Sequence, residues 1–178
     1  EENWPIETVL GCEFFLTDAS LEWIREGRAL TLNGSRRLLI EFPWYQKVQL
    51  GSSETELLKQ VLDAGYEVII AHPERYKSVQ EDFSTLKRWR ALGCDFQVNR
   101  TSLILNDDKE QCMLAWRMVE EGYCDAIGTD AHHCWGKRVI KLSDVQAEIE
   151  QRTDRDTALL LCHENGRRLI TGDPLIHR

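Results

Sequence analysis

Two acidic residues and two histidines are the side chains in this sequence whose types and positions best fit metal chemistry. Glu13 lies inside an apolar segment, His72 follows the apolar run EVIIA, and Asp130 and His132 form a D-x-H pair after DAIGT. A buried carboxylate or imidazole needs a partner, because burial of an unpaired charge is costly or shifts its pKa. A divalent cation is one partner that suits all four.

The donor types narrow the choice of metal. Carboxylate oxygen and neutral imidazole nitrogen suit Mn²⁺, Fe²⁺, Zn²⁺ and Co²⁺, and the lack of thiolate ligands beside them argues against a closed structural zinc site. Asp130 and His132, at i and i+2, would face one cavity from an extended segment. Other roles stay open: a hydrogen-bonded structural role for His72, an arginine ion pair for Glu13 and a helix N-cap for Asp130.

Two arginines follow the candidate ligands on the same loops. Arg75 comes three residues after His72, and Arg138 comes shortly after His132. A guanidinium group is always charged and binds phosphate or carboxylate oxygens in pairs. Arginines beside a metal site therefore predict an anionic substrate, with a salt bridge from Arg75 to Glu74 or another nearby acid as the alternative.

The elements that must position these residues alternate along the chain. Apolar runs predict strands at 8–16, 38–42, 67–71, 95–99 and 125–129, and helical patterns cover 20–27, 53–65, 81–92, 109–121 and 142–170. The repeated order of helix, glycine, short strand and polar loop is typical of parallel β/α units whose strand ends share one rim. We expect an α/β fold in one domain spanning residues 1–178.

Composition excludes several classes of protein. The 178 residues are 42% hydrophobic and 29% charged, and the net charge of -8 argues against a nucleic-acid partner. No apolar run reaches the roughly 20 residues that span a bilayer, so we expect no membrane insertion and a cytoplasmic location. The six cysteines form no C-x-x-C pair, which favours reduced, mostly structural thiols.

Five motifs together resemble one family. GCEFFLT at 11–17, LTLNGSRRLLIEFP at 30–43, IIAHPERY at 69–76, QVNRTSL at 97–103 and GTDAHH at 128–133 look like the bacterial manganese-dependent tyrosine phosphatases of the polymerase and histidinol phosphatase (PHP) superfamily. The resemblance implies a distorted, TIM-like β/α barrel with three metal ions at its C-terminal rim. The implied substrate is phosphotyrosine on a bacterial tyrosine autokinase that controls capsular polysaccharide export.

The same resemblance assigns the site residues. Glu13 would bridge two metal ions, and His72 would bind a second metal ion. Asp130 and His132 would complete the metal cluster, which would hold an attacking hydroxide. Arg75 and Arg138 would hold the phosphate. The D-x-H-x-H strand with which the family begins does not precede Glu13, so we expect an N-terminally incomplete barrel.

Two other functions stay open from the sequence. The chain could be a non-catalytic or truncated scaffold that binds a partner, or a PHP phosphoesterase acting on a small phosphate monoester. The tyrosine phosphatase is preferred because LTLNGSRRLLIEFP matches that branch of the superfamily. Trp44 and Tyr45 could rim the pocket or pack in the core, and the six tryptophans suggest a possible homo-oligomer.

Overall fold

Five parallel strands form one sheet in chain order, β1-β2-β3-β4-β5. The computed structural model describes residues 7–43, 52–105 and 108–178, so Trp44 and Tyr45 lie outside the described residues. The strands are β1 Glu13–Phe15, β2 Arg37–Glu41, β3 Glu67–Ala71, β4 Asp95–Asn99 and β5 Ala126–Gly128. Because all pairs are parallel, every strand ends at the same edge of the sheet.

Helices connect the strands and follow the last one. They are α1 Leu21–Arg25, α2 Glu54–Asp63, α3 Lys77–Glu81, α4 Ser84–Ala91, α5 Arg100–Ile104, α6 Lys109–Glu120, α7 Ser143–Arg152, α8 Arg155–Leu159 and α9 Asn165–Thr171. Short 3₁₀ turns cover Leu32–Gly34 and Pro73–Arg75, and a π-helical segment, Leu160–Glu164, joins the last two helices.

Local sequence signals explain where the helices begin and end. Ser53 Oγ accepts a hydrogen bond from the Glu56 amide at 3.2 Å, which caps α2 as the sequence predicts. Asp108 caps α6 in the same way, accepting from two backbone amides. Gly65, with φ of 89°, follows α2 in the left-handed region, where glycine ends a helix without steric cost.

The core lies on both faces of the sheet. β2, β3 and β4 are mostly buried, and large side chains such as Phe42 and Trp89 fill the space between strands and helices. Each such burial contributes about 1.5–3 kcal/mol. Tyr76 ties the site to this core, because its hydroxyl donates to the Ala71 carbonyl at 2.7 Å and accepts from the Phe42 amide at 3.1 Å.

Several predicted elements differ in extent from the observed ones. The strand predicted at 8–16 shortens to Glu13–Phe15, because Val9 and Leu10 are exposed and have no core to face. Cys12 therefore precedes the strand. The helix predicted at 81–92 begins at Ser84, where the Asp82 carboxylate accepts from its amide at 3.0 Å. The helical tail contains a break at Thr153, and α5 was not predicted.

The predicted α/β class with a parallel sheet is confirmed. None of the helices in the described ranges is long and apolar enough to cross a membrane. All six cysteines are free thiols, and Cys94, Cys124 and Cys162 are buried. The single domain, the cytoplasmic location and the homo-oligomer stay predictions.

Candidate active site

A cavity of about 550 Å³ lies at the edge of the sheet where the strands end. It is lined by Glu13, Glu41, His72, Arg75, Asp130, His132 and Arg138. The structure thus brings all six residues singled out from the sequence to one place and adds Glu41. Their individual roles stay predictions.

One wall of the cavity carries two carboxylates and an imidazole. His72 Nε2 lies 2.8 Å from Glu13 Oε1 and 3.4 Å from Glu41 Oε1. The three side chains offer ligand atoms that all lie within 4.8 Å of one another. The imidazole is only 2% exposed, whereas the side chains of Glu41 and Glu13 are 17% and 33% exposed, so the carboxylates lie between the buried ring and the solvent-accessible cavity. These donors could hold one divalent cation.

The backbone positions these three groups from three adjacent strands. Glu41 is the last residue of β2, and His72 is the first residue after β3. His72 has φ of 35°, a left-handed conformation that is uncommon outside glycine and often found at functional sites. Glu13, in contrast, opens β1 and pairs with Leu39, which lies two residues before Glu41 on β2.

Asp130 is the centre of the facing wall. Its Oδ1 lies 2.5 Å from Arg138 Nη2, and its Oδ2 lies 3.3 Å from Arg75 Nη1 and 2.9 Å from Asn99 Nδ2. Burial alone would raise the pKa of this carboxyl, but the hydrogen bond and charge of Arg138, with the charge of Arg75, lower its pKa below the usual range. Asp130 is therefore held as an anion between the two arginines.

The segment that carries Asp130 and His132 is not extended as the sequence predicted. Asp130 has φ of 48°, and this left-handed residue turns the chain so that His132 Nδ1 lies 3.0 Å from the Asp130 carbonyl oxygen. Both side chains still face the same cavity. His132 is 54% exposed, in contrast to the buried His72.

A row of hydrogen bonds beneath Asp130 fixes its position. Gln97 Nε2 donates to Asn99 Oδ1 at 2.8 Å, and Asn99 in turn donates to Asp130. Gly128 on the neighbouring strand makes room for Gln97, because a Cβ at this glycine would lie 2.5 Å from Gln97 Nε2. The buried Glu74, whose pKa is raised by burial, accepts from the Asn99 amide at 3.1 Å.

The loop that carries Arg138 is held by Arg100. This buried guanidinium binds Asp144 through two N–H groups, at 2.8 and 2.6 Å, and donates a third hydrogen bond to the Lys137 carbonyl at 2.9 Å. The Arg100 hydrogen bonds lower the pKa of Asp144, so its carboxylate stays charged. The Arg138 carbonyl also accepts from the His132 amide, which closes the loop.

A second acidic cluster lies at the opposite edge of the sheet. Asp95 opens β4, Asp125 precedes β5, and their carboxylates lie with His177 in a group that has metal-ligand spacing. Arg90 occupies this group, with Nη1 2.8 Å from Asp95 and Nη2 2.7 Å from Asp125. A guanidinium therefore already supplies the positive charge here.

Sequence reasoning missed three residues of the site. Glu41 and Asn99 are the last residues of apolar strand sequences, LLIE and DFQVN, and Arg100 follows directly. The rule that selected His72, a polar residue where an apolar strand ends, could have found Glu41 and Asn99. Arg75 pairs with Asp130, an acid that lies 55 positions away in sequence and that no local pattern indicates.

Comparison with known proteins places these features in a family. A family model described as capsular polysaccharide synthesis, CpsB/CapC, matches residues 1–171. The CapC protein of Staphylococcus aureus is 30% identical over 123 residues, which are 69% of this chain and 47% of that protein. The tyrosine-protein phosphatase YwqE of Bacillus subtilis is 26% identical over 133 residues, 75% of this chain and 51% of YwqE.

The chain spans about half the length of these curated relatives. A solved structure is also similar to this chain. It comes from a study of the crystal structures of YwqE from Bacillus subtilis and CpsB from Streptococcus pneumoniae, which are described there as unique metal-dependent tyrosine phosphatases. The superposition has a TM-score of 0.85, covers 98% of this chain and 68% of that chain, and has 23% sequence identity. This likeness shows a shared fold.

Proposed function

Because the chain belongs to the CpsB/CapC family of capsular polysaccharide synthesis, we propose that it acts as a metal-dependent phosphatase on phosphotyrosine in a protein. One observation carries the proposal: a single cavity places two carboxylates and an imidazole opposite a pair of arginines. The first group suits a cation, and the second suits the phosphate oxygens. The names of the relatives support the choice of phosphotyrosine.

The donor set fits a divalent transition metal. Glu13, Glu41 and His72 would hold it, and the oxygen and nitrogen donors suit manganese, with iron, zinc and cobalt as other possible ions. A bound ion would supply Lewis acidity and make a nearby water more acidic. We also propose Asp130 and His132 as ligands of further ions in the same cavity, where an ion bound by Asp130 would replace one of its two arginine contacts. The chain order of the parallel strands supports our proposal of a β/α barrel.

The arginine pair has a direct role in the proposed reaction. The planar guanidinium groups of Arg75 and Arg138 would bind the phosphoryl oxygens and offset the charge that develops on them during attack. Asp130 orients both guanidinium groups before the substrate arrives, because each of its carboxylate oxygens contacts one of the two arginines. The leaving tyrosine has a pKa of about 10, so it needs less help from a general acid than an alkyl alcohol would.

The proposed protein substrate is a bacterial tyrosine autokinase that controls polysaccharide export. The description of the family, capsular polysaccharide synthesis, supports this choice of substrate. A kinase that phosphorylates its own tyrosines needs a phosphatase to reverse the modification. A site at an open edge of the sheet is accessible to such a protein segment.

The direct test is release of phosphate from a phosphotyrosine peptide in the presence of Mn²⁺. We expect chelation to abolish the release, added Mn²⁺ to restore it and His72→Ala to prevent the restoration. Asp125→Asn, in the acidic cluster at the opposite edge, is the matched control and should keep the metal response. Activity that survives both chelation and His72→Ala would contradict the metal-dependent mechanism, and metal binding without turnover would favour a non-catalytic partner-binding module.

A further inference from the structure

We propose that Asn99 is a positioning residue that sets the arginine pair relative to the wall of the cavity that carries His72. This inference rests on the proposed function, since it concerns the groups that would hold the phosphate. Asn99 is the last residue of β4 and is fully buried. It is not part of the described lining of the metal-facing cavity, so it would act through residues that are.

The side-chain amide of Asn99 has one orientation that fits its neighbours. Its Oδ1 accepts from Gln97 Nε2 at 2.8 Å, and its Nδ2 donates to Asp130 Oδ2 at 2.9 Å. The reversed amide would place an oxygen against the carboxylate, where both atoms are hydrogen-bond acceptors. Asp130 therefore receives a neutral donor from a fixed direction, in addition to the two arginines.

The same strand end also holds the loop on the facing wall. The Asn99 amide donates to Glu74 Oε1 at 3.1 Å, and the Gln97 carbonyl accepts from the His72 amide at 2.7 Å. Glu74 is fully buried and directly precedes Arg75 in the chain. The end of β4 therefore fixes the loop that carries the imidazole as well as the carboxylate that orients the arginines.

These contacts form a closed ring through Asn99. Glu74 binds the Asn99 backbone, and the Asn99 side chain binds Asp130. Asp130 in turn binds Arg75, which follows Glu74 in the chain and closes the ring. Rotation of the Asp130 carboxylate about its Cβ–Cγ bond would break the hydrogen bond from Asn99, so the ring holds the carboxylate in one orientation.

The orientation of the Asp130 carboxylate decides where the guanidinium groups lie. Its two oxygens contact Arg75 and Arg138 separately, and Arg138 Nε also donates to the Asp130 carbonyl at 3.0 Å. A shift of the carboxylate by about 1 Å would move both groups relative to the phosphate, and binding sites are sensitive to displacements of this size. Asn99 would thus influence phosphate affinity without a contact to the phosphate.

The test measures the affinity for inorganic phosphate by isothermal titration calorimetry at one fixed Mn²⁺ concentration. Asn99→Leu keeps the approximate size of the side chain but removes both amide contacts, so we expect phosphate affinity to fall about tenfold. If this variant does not fold, Gln97→Met replaces it. That change removes only the amide that holds Asn99 Oδ1, so we expect a smaller loss of about threefold.

The matched control is Asn165→Leu. Asn165 is as fully buried as Asn99, and its side-chain amide donates to the Asp125 and Ile176 carbonyls at 2.8 and 2.9 Å. These contacts lie at the opposite edge of the sheet. Both leucine variants should lower the urea concentration at the unfolding midpoint, but Asn165→Leu should keep the phosphate affinity of the unaltered chain.

A second comparison shows whether Asn99 acts through the arginines. Arg75→Met removes the arginine that shares Asp130 Oδ2 with Asn99. In this background we expect Asn99→Leu to reduce phosphate affinity by about threefold or less, because one of the two groups that it positions is absent. A merely structural role of Asn99 would give the same tenfold loss in both backgrounds and would overturn the proposal.

The outcomes separate the positioning role from the proposed function. Unchanged phosphate affinity in Asn99→Leu, or an equal loss in Asn165→Leu, would overturn the positioning role, as would a lack of phosphate binding by the unaltered chain. Lack of turnover of phosphotyrosine peptides and of p-nitrophenyl phosphate would overturn the phosphatase. The phosphate affinities would then still decide the role of Asn99, because they need no turnover.

Discussion

The two edges of the sheet carry similar sets of acidic residues and histidines, but the positive charge that accompanies the carboxylates differs between them. At the edge where strands begin, Asp95, Asp125 and His177 lie close together, and Arg90 binds both carboxylates. At the edge where strands end, the imidazole of His72 sits between Glu13 and Glu41. The arginines of that cavity bind a different acid, Asp130.

Ligand spacing alone does not define a metal site in this protein. Both groups have ligand atoms within 4.8 Å of one another. In the first group, a guanidinium at hydrogen-bond distance supplies the positive charge and links the start of β4 to the residue before β5. In the second group, two carboxylates converge on a buried imidazole that is itself a good metal ligand. The position of the arginines therefore distinguishes a structural cluster from a candidate metal centre.

The largest expected effect is on metal affinity. Glu41→Gln keeps the size of the side chain but removes one anionic ligand, so we expect Mn²⁺ affinity to fall by at least about tenfold. Asp125→Asn, the matching change at the other edge, should leave the affinity unchanged. Isothermal titration calorimetry with Mn²⁺ measures both. A drop in Asp125→Asn equal to that in Glu41→Gln would contradict the distinction between the clusters.

Removal of Arg90 should allow the cluster of Asp95, Asp125 and His177 to bind a metal ion. Arg90→Met leaves Asp95 and Asp125 facing each other without their shared cation, and we expect the free energy of unfolding to fall by about 3 kcal/mol. Because a ligand that binds only the folded state stabilises it, Zn²⁺ or Mn²⁺ should restore part of this loss. Urea unfolding with and without metal measures the effect.

The control for this change is Arg88→Met, two residues away on α4 and exposed. It breaks a surface ion pair with Asp82, so we expect a loss of at most about 1 kcal/mol and no rescue by metal. Equal losses in the two variants, or a metal response in both, would show that Arg90 has no special role in its cluster.

A smaller effect is expected on the pH dependence of stability. Burial, together with the charge of Asp125, raises the pKa of Asp95 from 3.8 to about 6. The folded state therefore binds this proton more tightly than the unfolded chain, and the associated stability is lost as the pH rises through about 6.

Asp95→Asn removes this loss. Relative to the unaltered chain, we expect its free energy of unfolding to rise by about 1–2 kcal/mol between pH 4.5 and pH 7. Urea unfolding at the two pH values gives the difference. A constant offset between the two proteins across this range would show that Asp95 has an ordinary pKa.

The sequence predicted the fold where local signals agreed with burial. Ser53 before a helical stripe and the apolar run EVIIA gave elements that the structure confirms, because capping and strand burial are encoded within a few residues. The first strand was predicted too long, because apolar residues such as Leu10 are strand-like in type but exposed in place. Only packing distinguishes these cases.

The site was predictable in its members but not in their pairing. His72 and Asp130, which follow apolar strand sequences, could be placed on one rim, since parallel strands end at the same edge of a sheet. The contact of Arg75 with Asp130, and the support of the Arg138 loop by Arg100, join residues 55 and 37 positions apart. Such contacts depend on how strands and loops are arranged in three dimensions, and no pattern of neighbouring residues in a single sequence predicts them.

Gly128 gives the site a hidden sensitivity to mutation. Its backbone is outside the left-handed region, so a survey of substitutions would show a demand for glycine where no turn requires one. The demand comes from Gln97, which lies where a methyl group at position 128 would be. Even Gly128→Ala would have to displace the amide that supports Asn99 and, through it, Asp130. A substitution at position 128 would therefore change the position of Asp130 and of the arginines that it binds, although residue 128 contacts neither arginine in this chain of interactions.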